Sequence, residues 1–320
     1  MLEHNVNTGN IPVIAVVGPT ASGKTRLAVD LAKRFHGEVI SADSMQVYRY
    51  MDIGTAKASK EEQQGIPHYM IDFLDPGQPF SVAEYVEMAG KYAADISKRG
   101  KIPIVAGGTG LYIDSFLGNT VFQPIRSDPE LRLSLQREAD EKGGEYLLQQ
   151  LALVDPELAA KLHPNNKGRI IRALEVFRLT GIPMSVHQRE AVSHPSPYRS
   201  CYIGLDFSQR QALYDRIGQR VEQMLRDGLE EEARSLMQKG FGATAAQAIG
   251  YKEFFPYWEG KCTLADAAEE IKKQTRHYAK RQLTWFRRRQ ETHWFYPDLE
   301  TYPDLLKNAV SAIQNELALI

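Results

Sequence analysis

IPVIAVVGPTASGKT, residues 11–25, decides the fold. Its first half, Ile11–Val17, is a short β-branched run closed by a glycine, which reads as a strand buried on both faces. Its second half, Gly18-Pro19-Thr20-Ala21-Ser22-Gly23-Lys24-Thr25, has the spacing of a phosphate-binding loop that opens a helix. Glycines let backbone N–H groups converge on phosphate oxygens, and the helix N-terminus adds a positive field. On that reading Lys24 neutralises a terminal phosphate, and the Thr25 hydroxyl helps to hold Mg²⁺.

Outward from this stretch, helical spacing runs from Thr25 to Arg34 and Gly37 ends it. Glu38–Ala42 reads as a second strand, stopping at Asp43. Ser81–Lys98 is a helix, with Ser81 as N-cap and Glu84 completing a capping box. Ile102–Ala106 is a third buried strand, running into Gly107-Gly108-Thr109-Gly110. This alternation predicts right-handed βαβ units and a parallel sheet. Polar helices follow over Asp128–Glu141 and Asn166–Leu179, then a Pro/His/Ser-rich stretch from His187 to Ser200. Cys201–Phe207 returns to the sheet, and helices are expected from Ser208 to Gln238 and from Leu264 to Arg289. The fold class is therefore α/β, a P-loop NTPase-like parallel sheet flanked by helices. Residues 1–121 and 200–320 form its discontinuous core, and 122–199 form an all-helical insertion.

Composition narrows the function classes. At 320 residues, 43% hydrophobic and 25% charged, the chain is ordinary globular protein with ample core. Its two cysteines, Cys201 and Cys262, form no CxxC pair, which argues against a disulfide scaffold or a zinc ribbon. The N-terminus MLEHNVNTGN carries no targeting pattern, and no run reaches membrane-spanning length, so a cytoplasmic protein is expected. Net charge is −1, so any nucleic-acid surface must arise from local segregation of charge.

Ligands of parallel α/β sheets bind beyond the carboxyl ends of the strands. Asp43 and Thr109 should therefore converge with Lys24 on one crevice. A motor-type ATPase would carry a metal-binding acid after Ile102–Ala106, where this chain has Gly-Gly-Thr-Gly. An acid and a hydroxyl beside a phosphate cradle suit group transfer better. A plain turn carboxylate remains the alternative reading of Asp43.

Residues 271–290, IKKQTRHYAKRQLTWFRRRQ, hold eight Lys/Arg and no acid. Ile271, Tyr278 and Trp285 recur every seven residues, giving an apolar stripe on a cationic helix. A solvated face or a membrane-surface helix would also fit, but unmixed positive charge is best explained by phosphate-backbone contact. Arg169 and Arg172 share a helix face in the insertion, and Arg216 and Arg220 are spaced i, i+4 after the return strand.

Together these residues resemble the tRNA dimethylallyltransferase family. The resemblance spans GPTASGKT (18–25), DSMQVY (43–48), GGTGLY (107–112), NNKGRIIRALEVF (165–177), AIGYKEF (248–254) and QTRHYAKRQLTWFRRR (274–289). It implies transfer of a dimethylallyl group from dimethylallyl diphosphate to the exocyclic amine of the adenosine 3′ to the anticodon. Asp43 would take the amine proton, while Gly18–Thr25, Thr109 and an arginine, Arg220 rather than Arg216, would hold the diphosphate with Mg²⁺. Ser44, Met45 and Gln46, with Asp43, would line the adenine pocket. Arg169, Arg172, Lys280, Arg281 and Arg287 would contact the tRNA anticodon stem-loop. The chain is expected to act as a monomer of bacterial type. A small-molecule kinase and an isopentenyltransferase acting on free adenine nucleotides are the rival readings, and neither has a use for the basic helix.

Overall fold

Six strands form one all-parallel sheet: β1 (Ile11–Val17), β2 (Gly37–Ser41), β3 (His68–Tyr69), β4 (Ile102–Gly107), β5 (Tyr198–Leu205) and β6 (Thr292–Phe295), in the order β3-β2-β4-β1-β5-β6. The computed structural model describes residues 11–319 other than Pro124, Arg126, Ser193, Phe241 and Ala243. The N-terminal segment read for a targeting signal thus lies outside the described residues. Among those described, ten helices have eight or more residues. They are α1 (Lys24–Arg34), α2 (Val82–Lys98), α3 (Gly110–Leu117), α4 (Pro129–Val154), α5 (Lys167–Thr180), α6 (Met184–Ala191), α7 (Arg210–Arg226), α8 (Leu229–Lys239), α9 (Leu264–Phe286) and α10 (Tyr302–Leu317).

The central strand shows why the opening run is apolar at every position. Val13, Ala15 and Val17 pack with Tyr85 and Ala89 of α2 on one face. Ile14 and Val16 pack with Leu27 and Leu31 of α1 and Ile313 of α10 on the other. A strand buried on both sides has no polar face to alternate with. Each large aliphatic side chain buried this way stabilises the sheet by about 1.5–3 kcal/mol. The Ser81 capping box is present as expected, its hydroxyl accepting from the Glu84 N–H.

The structure also corrects the outline. Gly37 does not end α1: Phe35 caps the helix, His36 takes the left-handed turn (φ 50°), and Gly37 is already in β2. Helix α6 occupies the start of the stretch read as loop from His187. The return strand begins at Tyr198, and the run from Ser208 is broken between α7 and α8 at Asp227 and Gly228. Strand β6 was not legible, because its sequence Thr-His-Trp-Phe follows a basic run without any turn signal.

Two compact units result, one comprising residues up to Gly118 and from Ser196 onward, the other Asn119–Pro195. The second unit has its own core of Leu135, Leu147, Leu151, Ile170 and Leu174, with α4 kinked at Gly143 (φ 86°). At its base the Asn119 amide donates to the Pro195 carbonyl at 3.0 Å.

Candidate active site

The phosphate loop leaves β1 at its carboxyl end and enters α1 through Gly23, whose φ of 96° is left-handed. That conformation, costly for a side-chain-bearing residue, turns the chain into the helix directly before Lys24. The Lys24 ammonium folds back to donate to the Pro19 carbonyl at 2.5 Å. Burial, and secondarily the Arg220 charge, bring its pKa down to about 7 despite the opposing pull of Asp43. The Ser22 hydroxyl is buried in the same loop without a hydrogen-bond partner among the described residues.

Strands β2 and β4 are in register from Gly37 with Ile102 to Ser41 with Ala106, so their carboxyl ends lie side by side. The Thr109 N–H donates to the Ala42 carbonyl at 3.0 Å. The Asp43 carboxylate accepts from the Met45 N–H at 2.9 Å. Burial raises its pKa, while that bond and the charges of Lys24 and Arg220 hold it down. A cavity of about 300 Å³ joins Lys24, Thr25, Asp43, Gln46, Arg220 and Tyr278. Thr20, Ser44 and Met45 also line it, whereas Ala21, Ser22 and Gly23 face a wider cleft on the other side of Lys24. Gly18 and Pro19 line neither space.

Two expectations change here, those for Thr109 and for the stripe on α9. Thr109 stands behind the cavity wall: its hydroxyl accepts from the Ser44 N–H at 3.1 Å and shares a hydrogen bond with Tyr278. The two arginines of α7 separate cleanly. Arg216 donates through Nε to the Ala21 carbonyl at 2.9 Å, whereas Arg220, one turn on, faces Lys24 and Asp43. The stripe on α9 is also different, since its buried positions include Ile271, Ala279, Gln282 and Phe286. Tyr278 lines the cavity, and Trp285 donates to Asp114 at 2.7 Å.

Gln282 was missed by sequence reading. Its carbonyl accepts from the Thr20 N–H at 2.8 Å and its amide donates to the Gly108 carbonyl at 3.1 Å, tying the phosphate loop to the β4 loop. A Cβ on Gly108 would lie 1.8 Å from the Gln282 amide nitrogen, so any larger residue there would displace the Gln282 side chain. The pairing of a loop glycine with a buried polar residue on a basic helix was the only available signal.

The basic helix is less cationic in space than in sequence. Lys272 pairs with Glu222 and Glu269, Lys273 with Glu270, Arg287 with buried Asp206 at 2.6 Å, and Arg289 with Asp114. Arg281 lies over Tyr278 and lines the cavity, and Lys280 is exposed. In the insertion Arg169 is exposed. Arg172, in contrast, holds the buried Glu175 carboxylate at 2.8 Å together with Arg132 and Ser127. Those hydrogen bonds bring Glu175 to about 2 against the cost of its burial. Arg172 and Arg287 are thus already engaged by carboxylates, which a reading of helix faces could not reveal.

The model of the IPP transferase family matches residues 46–289, and that of isopentenyl transferase matches residues 11–74. The chain belongs to the IPP transferase family. It is 50% identical over 311 residues to a tRNA dimethylallyltransferase of Thermoanaerobacter sp. (strain X514), covering 96% of this chain and 99% of the relative. A tRNA dimethylallyltransferase of Bacillus subtilis (strain 168) is 46% identical over 291 residues, or 91% of this chain and 92% of that one. Among solved structures, the full-length tRNA isopentenylpyrophosphate transferase from Bacillus halodurans is 42% identical with a TM-score of 0.71. That alignment covers 96% of this chain and 98% of the other. A eukaryotic dimethylallyltransferase described as acting on tRNA gives a TM-score of 0.81 at 30% identity, covering 97% and 80%. The P-loop-type core assigned from residues 11–25 is the fold of this family.

Proposed function

We propose that the protein transfers a dimethylallyl group from dimethylallyl diphosphate to the exocyclic amine of the adenosine 3′ to the anticodon of tRNA, releasing diphosphate. The observation that carries this reading is the meeting of Asp43, Lys24 and Arg220 in one buried cavity between the phosphate loop and the DSMQ segment. The amine nitrogen attacks the allylic carbon, the carbon–oxygen bond to diphosphate breaks, and the amine proton passes to Asp43. A carboxylate whose pKa is raised by burial is a better base toward so weak an acid. Lys24 and Arg220 receive the growing negative charge of the leaving group. Thr25 and the diphosphate oxygens are hard oxygen donors of the kind Mg²⁺ takes, so the residues present fit that ion. When bound, Mg²⁺ supplies further charge neutralisation.

Reaching the amine requires the base to leave its stack in the anticodon loop. Ser44, Met45 and Gln46 form the wall it would meet. Arg169 of the insertion, with Lys280 and Arg281, is exposed to RNA phosphates, whereas Arg172 and Arg287 would first have to release their carboxylates. This reading places the enzyme in the cytoplasm as a monomer. Among the described residues no helix is long and apolar enough to cross a membrane.

The deciding experiment offers dimethylallyl diphosphate with an anticodon stem-loop, with AMP, or with no acceptor. Prenylation of the stem-loop alone is expected. Prenylation of AMP in preference would establish the free-nucleotide reading instead.

A further inference from the structure

We infer that Glu232, on α8 outside the cavity, is a positioning residue that fixes what the adenine pocket recognises. Its carboxylate gathers four donors. One oxygen accepts from the Asp52 and Ile53 N–H groups, each at 2.9 Å. The other accepts from the Gly54 N–H and the Tyr251 hydroxyl, also at 2.9 Å. Three consecutive backbone amides on one carboxylate set the path of the loop from Asp52 to Ala56. From the far side, Lys57 closes the same loop by donating to the Tyr48 carbonyl at 2.7 Å and to Asp52 and Asp72.

The consequence falls on Gln46. Its amide nitrogen donates to the Thr55 carbonyl at 3.1 Å and the Ala56 carbonyl at 3.3 Å, while its oxygen accepts from the Ser41 hydroxyl at 3.1 Å. Turning the amide over would set its oxygen against two carbonyls, so the loop decides the orientation. A primary amide has two N–H donors, and here both are used. Only a lone pair of the carbonyl oxygen is left to offer to the cavity that Gln46 lines with Asp43. An exocyclic amine carries two hydrogens, and the pocket presents two acceptors, Asp43 and Gln46. A purine with a carbonyl in that place would bring acceptor against acceptor.

This inference rests on the proposed reaction, in that it assumes an adenine enters the cavity, but its test reads binding and not transfer. Stem-loops bearing adenosine or inosine at the acceptor position are titrated against the wild type, Glu232→Gln and Tyr251→Phe, without dimethylallyl diphosphate. The wild type is expected to prefer adenosine. Glu232→Gln converts an acceptor of backbone N–H groups into a donor, frees the loop and lets the Gln46 amide turn. The adenosine-to-inosine ratio should then fall by about tenfold, the scale of one buried polar mismatch. Tyr251→Phe keeps the ring and removes one donor, so it should lower the ratio by less, and it decides the matter if Glu232→Gln fails to fold. A merely structural role would weaken both RNAs equally and leave the ratio unchanged, overturning the inference. Equal binding of the two RNAs by the wild type would overturn it as well. Failure of the prenylation assay with the ratio intact would instead count against the reaction.

Discussion

Cations meet opposite treatment in two regions of this molecule. In the crevice, Lys24 and Arg220 are half-buried, repel each other and enter no salt bridge among the described residues. On α9 and just beyond it, Lys272, Lys273, Arg287 and Arg289 are each matched by a carboxylate drawn from another part of the chain or the preceding turn. The solvent-exposed pairs among these contribute little, roughly 0–1 kcal/mol each, whereas Arg287 holds a buried carboxylate. Loss of solvent first, and the like charge of Arg220 second, depress the pKa of Lys24, which is the sign of what this arrangement costs. A protein retains such an arrangement where an anion is to be received. Positive charge in sequence is therefore a poor guide to function until its partners are known.

The largest expected effect lies on the carboxylate facing those cations. Asp43→Asn should reduce the rate of transfer at saturating substrates by about 10²–10⁴ while stem-loop affinity stays within a few-fold. Near-native turnover would remove Asp43 from the chemistry and leave the crevice cations without a reacting partner.

Lys24→Met tests the crevice directly. Removing a cation that burial disfavours should stabilise the unliganded protein at pH 7, and weaken binding of dimethylallyl diphosphate. The sign of the pH dependence follows from the same group. Its folded pKa, about 7, lies below the unfolded value of 10.5, so the unfolded chain binds more protons between them. This group's contribution to wild-type stability should thus rise with pH from about 7 to 10.5, and Lys24→Met should lack that rise in thermal melts.

The helix supplies the contrast. Arg287→Ala leaves Asp206, nearly fully buried, without its partner and should cost about 1–3 kcal/mol in denaturant unfolding. Lys280→Ala should leave stability unchanged. It should flatten the slope of log binding constant against log salt for the stem-loop by about 0.7. If Lys280→Ala destabilises the protein and Arg287→Ala flattens the slope instead, the two residues have been assigned the wrong way round.

How much of this the sequence disclosed follows the range of the interactions. The β1–loop–α1 unit is contiguous, so residues 11–25 state their own structure. Asp43 was placed by a general property of parallel sheets, since β2 and β4 end side by side whatever their details. Gln282 and Glu232 act on residues 262 and about 179 positions away, at distances no periodicity encodes. The fate of Arg172 was equally hidden: Glu175 lies three residues on, yet its burial, which makes the pair structural, depends on α4 packing against α5. Short strands such as β6 are set by the sheet edge they join rather than by their own composition.

On the proposed reaction Lys24 receives a diphosphate, and with its pKa at about 7 it does so largely uncharged above neutrality. Isothermal titration of inorganic diphosphate at pH 8.5, in two buffers of different ionisation enthalpy, measures the protons exchanged on binding. With Lys24 near 7 before binding and drawn up by the anion, the wild type should take up about one proton more than Lys24→Met. Equal proton uptake and equal affinity in the two proteins would contradict the account.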